Sequence, residues 1–115
     1  MANNIDLSYL QEISGGDSSF IKEMLELYVN TTAQEASLFP ALLSSGDING
    51  IGNLAHKMKA PIQMLGANQL FETIRSLEQI GKNGQHTDEI EPLIEKVQTL
   101  VNSSIEEIHQ ILGTL

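Results

Sequence analysis

The sequence predicts an all-α fold: an antiparallel four-helix bundle with a short additional N-terminal helix. Three observations predict it. Apolar residues recur at helical spacing along most of the 115 residues, no convincing stretch alternates with period two, and Gly and Asn punctuate the pattern at short intervals. Helices joined by such short connections pack against each other in antiparallel fashion. An apolar fraction of 41% can supply a real core, so residues 1–115 are expected to form a single domain.

Each element has its own signals. Asp6 can cap a short first helix with Leu7, Leu10 and Ile13 on one face, and Gly15-Gly16 stops it. Asp17 is the expected cap of a long second helix carrying Phe20, Ile21, Met24, Leu27, Tyr28, Phe39, Leu42 and Leu43, which Pro40 should bend or divide. Ser45-Gly46-Asp47 reads as a C-terminal glycine followed at once by a new cap, opening a third helix from about Ile48 to Leu65. Gly66-Ala67-Asn68 is a tight turn, the fourth helix runs from about Gln69 to Ile80, and Gly81 to His86 is read as a polar loop. Thr87 or Asp88 should cap a last long helix with Ile90, Ile94, Val97, Val101, Ile105, Ile108 and Leu112 inward and Pro92 tolerated in its first turns.

Composition excludes several classes. There is no cysteine, hence no disulfide and no thiolate metal site. No run approaches the roughly 18 apolar residues of a membrane span, and Met1-Ala2-Asn3-Asn4 has neither the basic nor the apolar segment of a secretory signal, so a cytoplasmic location is expected. A net charge of −9 argues against nucleic acid. The charge is uneven: residues 48–82 hold Lys57, Lys59, Arg75 and Lys82 against Glu72 and Glu78, while the remainder holds Lys22 and Lys96 against all the other acids. This is either chance clustering on solvated faces or a local basic spot for an anionic group or an acidic partner.

The third helix carries the most informative residue. At about 100° per residue, Ile51, Leu54, Met58, Ile62 and Leu65 fall roughly opposite His56 and form the core stripe. Asn49, Lys59, Ala60 and Gln63 fall within about 60° of the histidine, and Gly52 about 40° to its other side. His56 therefore points away from the core on a polar face. Gly52, one turn earlier, is read either as keeping the imidazole open to an approaching surface or as tolerated drift. The third and fourth helices form a hairpin centred near Ala67, with His56 11 positions before it and Glu78 11 after, so the two should lie at the same height. Glu78 is then either an ordinary surface residue or a carboxylate that binds one imidazole nitrogen and leaves Nε2 as a free nucleophile.

An exposed neutral imidazole is a good nucleophile toward an activated phosphoryl group, and Lys59, one turn away, can hold phosphoryl oxygens as a point charge. Lys59 is expected to act once the phosphoryl group is present and Glu78 before it arrives. There is no Gly-rich strand-turn-helix or phosphate-binding loop for a nucleotide, so the group should come from a partner that also brings Mg²⁺, and the protein needs no cofactor of its own. His56, His86 and His109 lack metal-ligand spacing. A partner covering His56 should touch Asn49, Gly52, Asn53, Lys59, Ala60 and Gln63. Closed core stripes and an acidic surface predict a monomer.

The segment Ala55-His56-Lys57-Met58-Lys59-Ala60-Pro61-Ile62-Gln63-Met64-Leu65-Gly66-Ala67 resembles the signature of histidine-containing phosphotransfer (HPt) domains, in which a histidine is followed by a hydrophobic residue, lysine and glycine, and later by hydrophobic-Gly-Ala. His56, Met58, Lys59, Leu65, Gly66 and Ala67 match, and the Gly46-Asp47 turn is similar to the family's lead-in. The resemblance implies a five-helix architecture and a histidine that takes a phosphoryl group from a receiver-domain aspartate and passes it on. It implies response-regulator receivers as partners, with a hybrid sensor kinase as a further one. It also places Glu78 where family members carry a Gln or Glu bonded to the histidine. Ala60 replaces the family's glycine, and Pro61 removes a backbone donor one turn beyond His56. His-Lys-Met-Lys-Ala-Pro-Ile also resembles the histidine box of sensor kinases, although Lys57 stands where that box carries an acid. A sensor-kinase fragment and a catalytically silent adaptor bundle are the alternatives to a phosphoryl carrier.

Overall fold

A computed structural model describes residues 5–115; Met1 to Asn4, and with them the reading of the chain's start, lie outside the described residues. Helix α1 spans Ser8–Ser14, α2 Ser18–Leu27, α3 Ala33–Ala36, α4 Phe39–Ser44, α5 Ile48–Met64, α6 Asn68–Asn83 and α7 Ile90–Leu112. A π-helical turn, Tyr28–Thr32, joins α2 to α3, and a 3₁₀ turn, Thr87–Glu89, leads into α7. Segments α2 to α4 form one side of the bundle, so the architecture is the expected all-α one: four long helical arms and a short N-terminal helix. No strand occurs among the described residues, and no helix there is long and apolar enough to cross a membrane.

Aspartates mark three of the helix starts, two of them as side-chain caps. Asp6 accepts the Ser8 N–H at 2.9 Å ahead of α1, Asp17 accepts the Ser19 N–H at 2.9 Å, and Asp47 accepts the Gly50 N–H at 2.8 Å at the head of α5. The long second helix divides where proline physics requires. Pro40 has no N–H for the carbonyl of Ala36 and would clash with it, so α3 stops at Ala36 and α4 restarts at Phe39 with the proline in its first turn. The orphaned Ala36 carbonyl accepts from Gln98 Nε2 of α7 at 2.7 Å. The π turn was not anticipated. It follows a half-buried stretch in which Leu27 is exposed and Tyr28 is buried, and the Tyr28 hydroxyl meets the Ser104 hydroxyl of α7 at 2.8 Å.

Two expectations near the end of the hairpin are corrected. Helix α6 does not stop at Ile80: Gly81, Lys82 and Asn83 are helical, and the terminator is Gly84 in the left-handed conformation (φ 69°). Neither Thr87 nor Asp88 caps the last helix. His86, at φ 60°, turns the chain into the 3₁₀ segment, and no side chain caps either start.

The core is continuous. Ile51, Ala55, Met58, Ile62 and Leu65 meet Leu70, Ile74 and Leu77 of α6 and Ile90, Ile94, Val97, Val101 and Ile108 of α7, with Leu10, Ile21, Leu25, Tyr28 and Phe39 closing the other side. Ala55 rather than Leu54 is fully buried, Ile105 and Leu112 are only half-buried, and Ile13 is exposed. Helices α5 and α6 make the most extensive pairing in the molecule. Their turn depends on Gly66 (φ 65°): a Cβ there would lie 2.4 Å from the Asp6 carbonyl oxygen, whose residue donates its own N–H to the Leu65 carbonyl at 2.9 Å.

Farther up the hairpin, the two helices touch backbone to backbone. A Cβ on Gly81 would lie 2.4 Å from both N and Cα of Gly52, and a Cβ on Gly52 would lie 2.9 Å from the Gly81 carbonyl carbon. Both glycines are buried. Gly52 is therefore not part of an exposed partner surface and does not serve to uncover the imidazole; its missing side chain admits the backbone of α6.

Candidate functional site

His56 sits in the middle of α5, on the face opposite the core stripe, with its side chain 63% exposed. One face of its environment is fixed by α6. Glu78, 5% exposed overall, lies at the edge of the α6 core stripe and reaches across to the imidazole, Oε2 standing 2.5 Å from Nδ1. The glycine contact holds the two helices close one turn away, at a separation that a short side chain pair can span. The equal heights expected from the hairpin symmetry about Ala67 are what the structure shows.

Glu78 has two further partners. Lys59 Nζ lies 2.6 Å from Oε1, and Lys82 Nζ lies 2.8 Å from Oε2. Burial pushes the Glu78 carboxyl up, but hydrogen bonds from Lys59, Lys82 and His56, together with the Lys59 charge, more than reverse this and hold it down at about 2. The carboxylate is therefore ionised at neutral pH and can only accept. It follows that Nδ1 of a neutral His56 carries the proton, and the lone pair lies on Nε2, at the exposed edge of the ring. An ionised Glu78 thus stands where it can hold the imidazole in one orientation and one tautomer.

Both lysines beside Glu78 are engaged in the resting site. Lys59 is not free to await a phosphoryl group; before one is present it is already bound to Glu78, with its side chain 28% exposed. Lys82 was missed, because ending α6 at Ile80 placed it in a loop. In the extended helix it stands four residues after Glu78, on the same face, as an i,i+4 acid–base pair. Lys57, next to the histidine, turns the other way and pairs with Glu35 of α3 at 2.9 Å.

Among the residues expected around the histidine, Asn49, Asn53, Ala60 and Gln63 are exposed on the α5 face. Ala60 adds only a methyl to that face, and α5 continues through Pro61 to Met64. Gly52 is buried, as described above. Among the described residues no group of three or more His, Asp or Glu side chains is gathered in a way that could hold a metal ion.

A helical bundle with a solvent-facing histidine in mid-helix, oriented by an ionised carboxylate from the antiparallel neighbour, defines the class of histidine phosphotransfer domains. The sequence profile of that family, the Hpt domain, matches residues 23–114, and the chain belongs to it. No curated protein matches the sequence. Among solved structures, the fold is similar to that of histidine-containing phosphotransfer protein B (HptB) from Pseudomonas aeruginosa PAO1, with a TM-score of 0.88 and 19% identity, covering 100% of this chain and 99% of that one. Hpt domains serve phosphorelays, in which they work with receiver domains, and they are phosphocarriers rather than nucleotide-binding enzymes.

Proposed function

We propose that His56 is the phosphoacceptor of this domain, taking a phosphoryl group from the aspartyl phosphate of one receiver domain and passing it to another. The observation that carries this reading is the pairing of an ionised, buried Glu78 with Nδ1 of an otherwise exposed imidazole. The Nε2 lone pair forms the N–P bond as the O–P bond of the acyl phosphate breaks, and the electron pair of that bond leaves with the partner's aspartate. The Nδ1 proton stays between His56 and Glu78, so the positive charge that develops on the ring meets a carboxylate already in place. Lys59, one turn along α5, then meets the phosphoryl oxygens.

Everything else the reaction requires belongs to the partner. The chain has no nucleotide site of its own in this reading, and Mg²⁺ is expected in the receiver's acidic site, where it would neutralise phosphoryl oxygens. The receiver covers Asn49, Asn53, Lys59, Ala60 and Gln63. A hybrid sensor kinase is a further partner, upstream of the first receiver. The domain acts as a cytoplasmic monomer.

The test is incubation with phosphorylated receiver domains, scoring acid-labile, base-stable phosphate on this chain. Wild type should label and His56→Gln should not, with unchanged helical circular dichroism. Full labelling of His56→Gln would refute the assignment, and label on His86 would move the site.

A further inference from the structure

We propose that Lys82 is a positioning residue of the carrier reaction: by staying on Oε2 of Glu78, it keeps that buried carboxylate paired while Lys59 releases Oε1 and turns to the phosphoryl oxygens. The proposal rests on the carrier reading of His56 and adds a role for a residue outside the histidine motif.

The geometry assigns the two lysines to different oxygens. Lys59 bonds Oε1 alone, whereas Lys82 shares Oε2 with Nδ1 of His56. Lys82 therefore sits on the oxygen that must not move, because that oxygen orients the imidazole. Lys59 sits on the oxygen that can be vacated. It is also the lysine on the histidine's own helix, three residues along and within about 60° of it around the axis.

Charge explains why one lysine would not suffice. Glu78 is 5% exposed, and a buried carboxylate left without a cation is unfavourable. With Lys59 as its only cationic partner, Glu78 would hold that lysine against the phosphoryl group, and the two anions would compete for one ammonium. With Lys82 present, the resting cluster has two ammonium groups for one carboxylate, hence one surplus positive charge. The phosphoryl group brings about two negative charges, and the ring bearing both Nδ1–H and the N–P bond brings one positive charge. The loaded cluster is then close to neutral. Lys82 makes this balance from the solvent edge of α6, with a side chain 54% exposed, so its loss should leave the core intact.

The test uses the full chain with Lys82→Gln, Lys82→Arg and Lys59→Ala, alone and combined. Glu78 is followed by carboxyl ¹³C NMR titration, and His56 is loaded with the small-molecule donor phosphoramidate and its decay followed by ³¹P NMR. Lys82→Gln should raise the Glu78 midpoint by about one unit or more from its value of about 2 and shorten the phosphohistidine lifetime several-fold; Lys82→Arg should restore both. In the Lys82→Gln background, adding Lys59→Ala should change the lifetime little, because Glu78 already withholds Lys59. If wild type loads and Lys82→Gln matches it in midpoint and lifetime, or the two losses simply multiply, the role of Lys82 is overturned. If wild type takes no phosphoryl group on His56, the carrier reading itself falls.

Discussion

Replacing Gly81 with alanine should pull the imidazole and its carboxylate apart without touching either. The new Cβ would lie 2.4 Å from N and Cα of Gly52 and 3.0 Å from the Ile48 carbonyl oxygen, where ordinary contacts begin at 3.4 Å. Since the obstacles are backbone atoms, α5 and α6 must separate locally by about 1 Å to relieve the clash. The His56–Glu78 bond, one turn away, is 2.5 Å long, so a comparable opening carries it to the limit of a useful hydrogen bond, about 3.5 Å. Overpacking costs typically about 1–3 kcal/mol, and the better helix propensity of alanine returns up to about 1 kcal/mol. Because the obstacles at 2.4 Å are backbone atoms, the cost lies toward the upper end of that range, and the net loss should be about 2 kcal/mol, measured by urea denaturation. Gly52→Ala meets its nearest atom at 2.9 Å, so it should do less on both counts. Imidazole ¹⁵N shifts should show the Nδ1–H tautomer of His56 losing its dominance in Gly81→Ala. If Gly81→Ala is as stable as wild type and its imidazole shifts are unchanged, the glycine contact does not set the register of the site.

Two further outcomes follow from the surface of α5. Amide shift changes on adding a receiver domain should cluster at Asn49, Asn53, Ala60 and Gln63; changes confined to the opposite face of the bundle would remove the proposed footprint. Solution scattering should return the mass of a monomer, since the core stripes close within one chain; a stable dimer joined through α5 would revive the kinase-like alternative raised by Pro61.

Local chemistry made much of this structure legible. Asp17 and Asp47 cap the helices they were expected to cap, and the Gly66 turn fixes a hairpin whose symmetry is enough to pair His56 with Glu78 across 22 positions. The misreadings around the site share one cause. A glycine within a helical pattern can signal a stop or a close approach, and sequence spacing does not distinguish them. Gly81 was taken as the stop, whereas Gly84 is the residue in the left-handed conformation. That single choice moved Lys82 off the helix and hid the partner that explains Gly52. It also left Lys59 as the only lysine assigned to the site, although Lys82 is counted in the same basic stretch. The π turn was hidden for a different reason: periodicity at 3.6 residues per turn says nothing about one widened turn, and its visible consequence, Tyr28 reaching Ser104, depends on a helix 76 positions away.

The depressed Glu78 carboxyl predicts a specific acid sensitivity. Its folded value of about 2 lies below the ordinary 4.5 of a free glutamate. A group depressed on folding binds more protons in the unfolded chain, so stability rises with pH across the interval. Its contribution is therefore fully present above about pH 4.5 and is lost as pH falls toward 2. Glu78→Gln removes the titration while keeping a side chain that can still accept from Nδ1. Below pH 2 the two proteins should converge in this respect, and above pH 5 they should differ most, because in the variant Lys59 and Lys82 face a neutral amide. Urea midpoints measured from pH 2 to 7 should thus rise more steeply in wild type between pH 2 and 4.5 and run parallel to the variant above it. Other carboxylates titrate in the same range, which is why the difference between the two curves is the quantity to read. Parallel curves throughout would mean that Glu78 ionises as an ordinary surface acid. The lysines would then be bystanders, and the argument that an ionised Glu78 assigns the proton to Nδ1 would lose its basis.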